Sequence, residues 1–219
     1  GVAELTVANI LNLLRHIPKS DRSVRFGAWN RFMGRLLSET TIGVLGVGRI
    51  GSRVIRLLEP FGAAALAYDI DPLARQQQWP HVTWAKDADE LLRESDLVTV
   101  HIPLDETTRG YFNWRRIHLM KTGALLVNTA RGPIVDEEAL ASALRQGHLA
   151  GAALDVFESE PYDGPLARMD NTVLTAHIGA SARATRFQME LGAARDCVRV
   201  LSGEAPKTPA PYQPVRRAA

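Results

Sequence analysis

The 219-residue chain is 46% hydrophobic and 23% charged, the make-up of an ordinary folded protein, and it is long enough to bury one good core with appendages. Its net charge of +2 is too small to argue for nucleic acid or a membrane surface as partner. A single cysteine, Cys197, excludes an internal disulfide, and the lack of a bilayer-length apolar run or a signal peptide points to the cytoplasm.

Apolar residues at helical spacing open the chain (Val2, Leu5, Ala8, Ile10, Leu11, Leu13, Leu14), and Pro18 ends the pattern. Residues 20–38 are basic and aromatic, with Phe26, Trp29 and Phe32, and read as an arm that packs on a partner. From Thr41 onward strands and helices alternate. Apolar runs at 41–45, 63–68, 82–84, 97–102, 124–128, 151–154 and 172–175 read as strands. Several are continuously apolar, as a parallel sheet covered on both faces requires. Helical stretches fall at 49–61, 87–94 and 136–146, the last with Asp136 as N-cap and Gly147 as closing glycine. A further amphipathic helix is expected over 181–201. After Gly203 the tail carries Pro206, Pro209, Pro211 and Pro214 and reads as disordered. The alternation predicts a doubly wound parallel α/β sheet.

The first strand runs into Gly46-Val47-Gly48-Arg49-Ile50-Gly51, a G-x-G-x-x-G turn, and the second ends at Asp69. Gly46 allows the tight turn, Gly48 lets the backbone approach a pyrophosphate, and Gly51 lets helix and strand pack closely. The first-turn amides and the helix dipole then favour phosphate. Asp69 can accept two hydrogen bonds from an adenosine ribose and would repel a 2′-phosphate, so the cofactor expected is NAD rather than NADP.

Three titratable or charged residues follow strands in the second half. Arg131, after Leu126-Val127-Asn128-Thr129-Ala130, suits bidentate capture of a carboxylate. Glu160 is followed by Pro161, and His177 comes after Val173-Leu174-Thr175-Ala176. Hydride transfer at a hydroxyl carbon also moves a proton, and histidine, with a reference pKa of about 6.5, is the side chain best suited to carry it near neutrality. A carboxylate beside it favours the imidazolium. Anchor, tuner and acid/base together make a complete set.

The stretches from Asn128-Thr129-Ala130-Arg131-Gly132-Pro133 to Leu140, from Gly151 to Glu160-Pro161, and Thr175-Ala176-His177-Ile178-Gly179 resemble the signatures of the D-isomer-specific 2-hydroxyacid dehydrogenases, the phosphoglycerate dehydrogenase-like family. The resemblance implies a Rossmann fold and reversible hydride transfer between a 2-oxo acid and a D-2-hydroxy acid. It implies that Arg131 binds the substrate, His177 is the acid/base and Glu160 holds it. It also implies that Asp155 meets the nicotinamide carboxamide, that Thr129 and Ala130 line the nicotinamide pocket, and that Arg49 and Ile50 add backbone contacts at the pyrophosphate. His101, Pro103 and Thr107 resemble the loop over the adenosine side, and His177 and Gly179 complete the cofactor contacts. His16, His81, His118 and His148 match no motif, and no metal site is expected.

Position 176 is Ala where the family usually has Pro. The resemblance divides the chain into an interdomain helix and dimerisation arm (1–38), an NAD-binding domain (39–180), a return helix (181–203) and the proline-rich tail (204–219). It implies a homodimer, and a leading part of a substrate domain ahead of Gly1, so a trimmed fragment is one expectation. A catalytically weak NAD-binding module, or the same scaffold acting on phosphite or formate, are the other readings.

Overall fold

The computed structural model describes residues 1–77, 79–207 and 209. The chain divides into two compact units, Gly1–Gly179 and Ala180–Ala219. In the first, seven parallel strands form one sheet: β1 (Thr41–Leu45), β2 (Ala64–Tyr68), β3 (Val82–Trp84), β4 (Leu97–Val100), β5 (Ala124–Asn128), β6 (Leu149–Leu154) and β7 (Thr172–Leu174). Their spatial order is β3-β2-β1-β4-β5-β6-β7, so the winding reverses between β1 and β4. All pairings are parallel, from Leu45 beside Val100 to Asn128 beside Leu154. This is the expected doubly wound Rossmann architecture.

The continuously apolar strands are explained by two cores, one on each face. On one face, α1 (Val2–Leu14) and α3 (Gly51–Leu58) bring Ile10, Leu13, Val54 and Ile55 onto Ile42, Val44, Leu125 and Val127. On the other, α4 (Ala88–Glu94), α5 (Trp114–Ile117) and α6 (Glu137–Arg145) bring Leu91, Ile117 and Leu140 onto Leu45, Val98 and Leu126. Neighbouring residues of one strand enter opposite cores, which is the period-two rule applied to a sheet buried on both sides. Asp87 and Asp136 cap α4 and α6, each accepting from a backbone amide three residues on.

The arm differs from its sequence reading. Residues Ile17–Arg25 form α2, with Pro18 in its first turn. Proline lacks an N–H, which the first turn does not need, so it starts this helix as well as closing the one before. Beyond α2, Phe26, Trp29 and Met33 are 83%, 78% and 92% exposed, a large apolar display for one stretch of chain. The second unit contains α7 (Arg183–Leu201), and Cys197 on it is exposed. The disorder expected of residues 204–219 falls mostly outside the described residues. Among the described residues no helix is long and apolar enough to cross a membrane.

Candidate active site

The residues that directly follow six of the strands are Gly46, Asp69, His101, Thr129, Asp155 and Thr175. In a parallel sheet the ends of all strands share one edge, so residues far apart in sequence meet there.

On the β1–β2 side, Gly46 has φ +92°, and a Cβ there would lie 2.8 Å from the His101 backbone. A Cβ at Gly51 would come within 2.0 Å of the Gly46 carbonyl oxygen, whereas one at Gly48 would meet nothing within 4 Å. Thus Gly46 and Gly51 are required by the fold, and Gly48 leaves open space where a phosphate would approach. Gly48, Arg49 and Ile50 are exposed at the start of α3. Asp69 is drawn onto this loop: Val47 N–H donates to its Oδ2 at 2.7 Å and Asp71 N–H to its Oδ1 at 2.8 Å. Arg75 stacks its guanidinium 4.9 Å from the centre of the Tyr68 ring and donates to the Asp69 carbonyl.

His101 is held by its own backbone amide on Leu45 and by a 3.0 Å contact between its Nε2 and Thr99 Oγ1. Burial pushes its imidazole down to about 3, which keeps it neutral at working pH. Thr107 is exposed, and its hydroxyl is occupied by Asp105 at 2.7 Å. Pro103 lies in the same loop, its carbonyl accepting from the Thr108 hydroxyl.

On the β5–β7 side the expected set comes together. His177 Nδ1 lies 2.8 Å from Glu160 Oε2, and the other carboxylate oxygen accepts from Phe157 N–H at 3.0 Å. The hydrogen bond to His177 holds the Glu160 carboxyl below its ordinary value, assisted by the Phe157 amide and, more weakly, by the charges of His177 and Arg131. Arg131 is exposed, with Nη1 donating to the Ala130 carbonyl at 2.6 Å.

Residues that the sequence reading did not single out support this set. Buried Asn128 grips the turn below Arg131, accepting from Ala130 N–H and donating to the Arg131 carbonyl. A Cβ on Gly132 would sit 1.9 Å from the Phe157 carbonyl carbon, so the Arg131 turn and the Glu160 loop touch backbone to backbone. Thr6 on α1 shares a 2.8 Å hydrogen bond with Thr129. Asn128 acts within its own turn, whereas Gly132 with Phe157 and Thr6 with Thr129 lie far apart in sequence and meet only through the fold.

Asp155 is 1% exposed, and its carboxylate accepts from the Thr175 hydroxyl (2.6 Å), Ile178 N–H (2.8 Å) and Gly179 N–H (2.8 Å). Its carbonyl also accepts from His177 N–H at 2.9 Å. His177 itself has φ +52°, a left-handed conformation that is strained for a side-chain-bearing residue. Asp155 is therefore the clamp that holds the histidine in that conformation. The four histidines outside the motifs include His118 and His148, which stack on each other at 4.6 Å, and His81, whose Nε2 meets the Ile55 carbonyl.

Residues 7–179 match the family described as D-isomer specific 2-hydroxyacid dehydrogenase, NAD binding domain. The chain belongs to this dehydrogenase family. It is 42% identical over 220 residues to a glyoxylate reductase of Thermofilum pendens, a match covering 94% of this chain and 63% of that protein. A D-lactate dehydrogenase of Aquifex aeolicus, solved with NAD and lactic acid, superposes with a TM-score of 0.83 at 32% identity, over 93% of this chain and 66% of that one. A family member from Xanthobacter autotrophicus, solved with NADPH and MES, gives 0.81 at 32% identity, over 96% of this chain and 86% of its own. The chain thus spans less than two thirds of the length of the Thermofilum relative. The open space at Gly48, on the exposed turn between β1 and α3, fits the dinucleotide for which this NAD-binding family is described.

Proposed function

We propose that this chain carries the cofactor site and the proton-transfer machinery of an NAD-dependent oxidoreductase that interconverts a 2-oxo acid and a D-2-hydroxy acid. The observation that carries the proposal is the 2.8 Å contact of His177 Nδ1 with Glu160 Oε2, at the same sheet edge as the glycine turn. With Nδ1 committed to the carboxylate, Nε2 is the nitrogen left to exchange a proton with the substrate oxygen. Glu160 supports the imidazolium before reduction and steadies the ring when the proton has left. Arg131, whose charge acts on Glu160, offers two parallel N–H groups to the substrate carboxylate and fixes which face of the carbonyl is presented. Bound NAD supplies the other half of the chemistry, accepting or delivering the hydride at the substrate carbon.

Gly46, Gly48 and the residues Arg49, Ile50 and Gly51 would hold the pyrophosphate, and Asp69 the adenosine ribose. Thr129, Ala130, Gly179 and Asp155 would face the nicotinamide, while His101, Pro103 and Thr107 would flank the adenosine side. We read 39–180 as the NAD-binding domain, 1–38 as an interdomain helix with its arm, and 181–203 as a return helix. The exposed Phe26, Trp29 and Met33 support pairing of two copies through the arm. Light scattering at micromolar concentration tests that pairing; a monomer would count against it.

The test of the function is NADH consumption when the chain meets glyoxylate, hydroxypyruvate, pyruvate and phosphohydroxypyruvate, with NADH binding followed on the same sample. Turnover that disappears in Arg131→Ala supports the reading. Tight NADH binding with no turnover on any 2-oxo acid contradicts it for this chain.

A further inference from the structure

Glu160 owes its place to a short loop, and that loop is held from outside the catalytic set. The backbone passes from Phe157 through Glu158, Ser159 and Glu160 to Pro161 and Tyr162. The aromatic rings at its two ends, Phe157 and Tyr162, stack at 4.2 Å and 20°, so the loop closes on itself. Glu137, the first residue of α6, reaches across to it: its Oε1 accepts from Glu158 N–H at 2.8 Å. The Tyr162 phenol interacts with the same carboxylate. One half-buried carboxylate therefore grips the loop just before Glu160 and lies close to the residue that ends it.

Its surroundings are not those of a surface acid placed for solubility. Burial pushes the Glu137 carboxyl up, and the neighbouring Glu158 and Glu138 charges add to the rise. Arg109 offsets part of that repulsion by pairing with Glu158 at 3.6 Å. The position at the start of α6 favours the anion through the helix dipole. Beneath it, Gly132 allows the Arg131 turn to rest on the Phe157–Glu158 peptide. A movement of this loop thus displaces Glu160 and removes the surface against which Arg131 is held.

We propose that Glu137 is a positioning residue, fixing through Glu158 and Tyr162 the loop that presents Glu160 to His177. The proposal rests on the dehydrogenase reading given above. Glu137 touches no reacting atom; it acts through the geometry of Glu160. An isosteric amide keeps an oxygen for Glu158 N–H, whereas shortening the side chain by one methylene withdraws it.

The test is the titration of the Glu160 side-chain carboxyl, followed by 13C NMR in the full chain without cofactor, in wild type, Glu137→Ala, Glu137→Asp, Glu137→Gln and His177→Ala. Wild type is expected below the ordinary value of 4.5, with His177→Ala moved up toward it. Glu137→Ala and Glu137→Asp are expected to move up in the same direction, while Glu137→Gln, which keeps the contact and loses the charge, stays at wild type or falls below it. Direction separates positioning from charge, because deleting a neighbouring negative charge alone would move Glu160 down. In the enzyme assay Glu137→Ala is expected to lose kcat by up to about a hundredfold with KM little changed, and Glu137→Gln to restore it. If Glu137→Ala does not fold, Glu137→Asp and Glu137→Gln still decide the matter. Glu137→Asp at the wild-type position, or Glu137→Gln shifted as far as Ala, overturns the positioning role. Should His177→Ala leave Glu160 unmoved, the Glu160–His177 pairing falls, and this proposal with it.

Discussion

The two halves of the sheet edge are built on different physical principles. The β1–β2 half is shaped by backbone: Gly46 and Gly51 set the curvature of the loop, Gly48 leaves it open, and one carboxylate, Asp69, ties it down through Val47 N–H. The β5–β7 half is shaped by polar side chains that reach between loops, with Asn128, Asp155 and Thr175 gripping turns that carry Arg131 and His177. The first half would present a general surface for a dinucleotide, and its geometry tolerates exposure. In the second, the turns that carry Arg131 and His177 are each fixed by a buried side chain, Asn128 and Asp155. Buried and satisfied hydrogen bonds define a single arrangement better than exposed ones, because losing one leaves its partner without water.

The sharpest contrast comes from placing the same methyl group in both halves. Gly132→Ala puts a Cβ onto the Phe157–Glu158 backbone, so it is expected to cost about 3 kcal/mol or more of stability and to abolish turnover. Denaturant unfolding read alongside NADH binding would show it. Gly48→Ala meets no protein atom, so the expected result is unchanged unfolding with weakened NADH. Equal destabilisation by the two substitutions would break the comparison.

Asp69→Ala gives the next effect. Loss of a charge-assisted partner for the ribose costs about 1.5–3 kcal/mol, or roughly ten- to a hundredfold in NADH affinity, with NADPH less affected. Isothermal titration with both cofactors measures the gap; an unchanged ratio would remove Asp69 from cofactor choice. The family member solved with NADPH makes this ratio informative for the family as a whole.

These contrasts follow how much of the site was legible from sequence. Glycines in a G-x-G-x-x-G turn are short-range, so the strand–turn–helix around Gly46–Gly51 could be read from a few consecutive residues. Arg131, Glu160 and His177 were legible as residue types at strand ends and through the family resemblance. Their supports were not: Asn128 looks like any strand-end amide, and Gly132 looks like a turn glycine until the Phe157 carbonyl is placed against it. Glu137 was read only as part of a helix start. The strands and most helices followed from period and capping, because continuous apolar runs and N-cap aspartates are local signals. The helix α2 was missed, since Pro18 closes one helical pattern and opens the next within the same few residues.

The smallest expected effect concerns acid. The His177 hydrogen bond depresses the folded-state titration of Glu160 below 4.5. A depressed carboxyl contributes its stabilising contact above its unfolded value and loses it as pH falls through the lowered folded value. Reduction of a 2-oxo acid should therefore persist as pH drops past 4.5, with any acid limb from Glu160 lying lower. A pH–kcat/KM profile, which reports the free enzyme, with that limb at or above 4.5 would place Glu160 outside the influence of His177.

The most direct test of the central claim is His177→Ala, with kcat for 2-oxo acid reduction and NADH affinity measured on the same preparation. The account expects kcat to fall by about 10²–10⁴ while the NADH dissociation constant stays within about twofold, because His177 carries the proton and the glycine turn with Asp69 carries the cofactor. Unchanged turnover with the imidazole removed would contradict it.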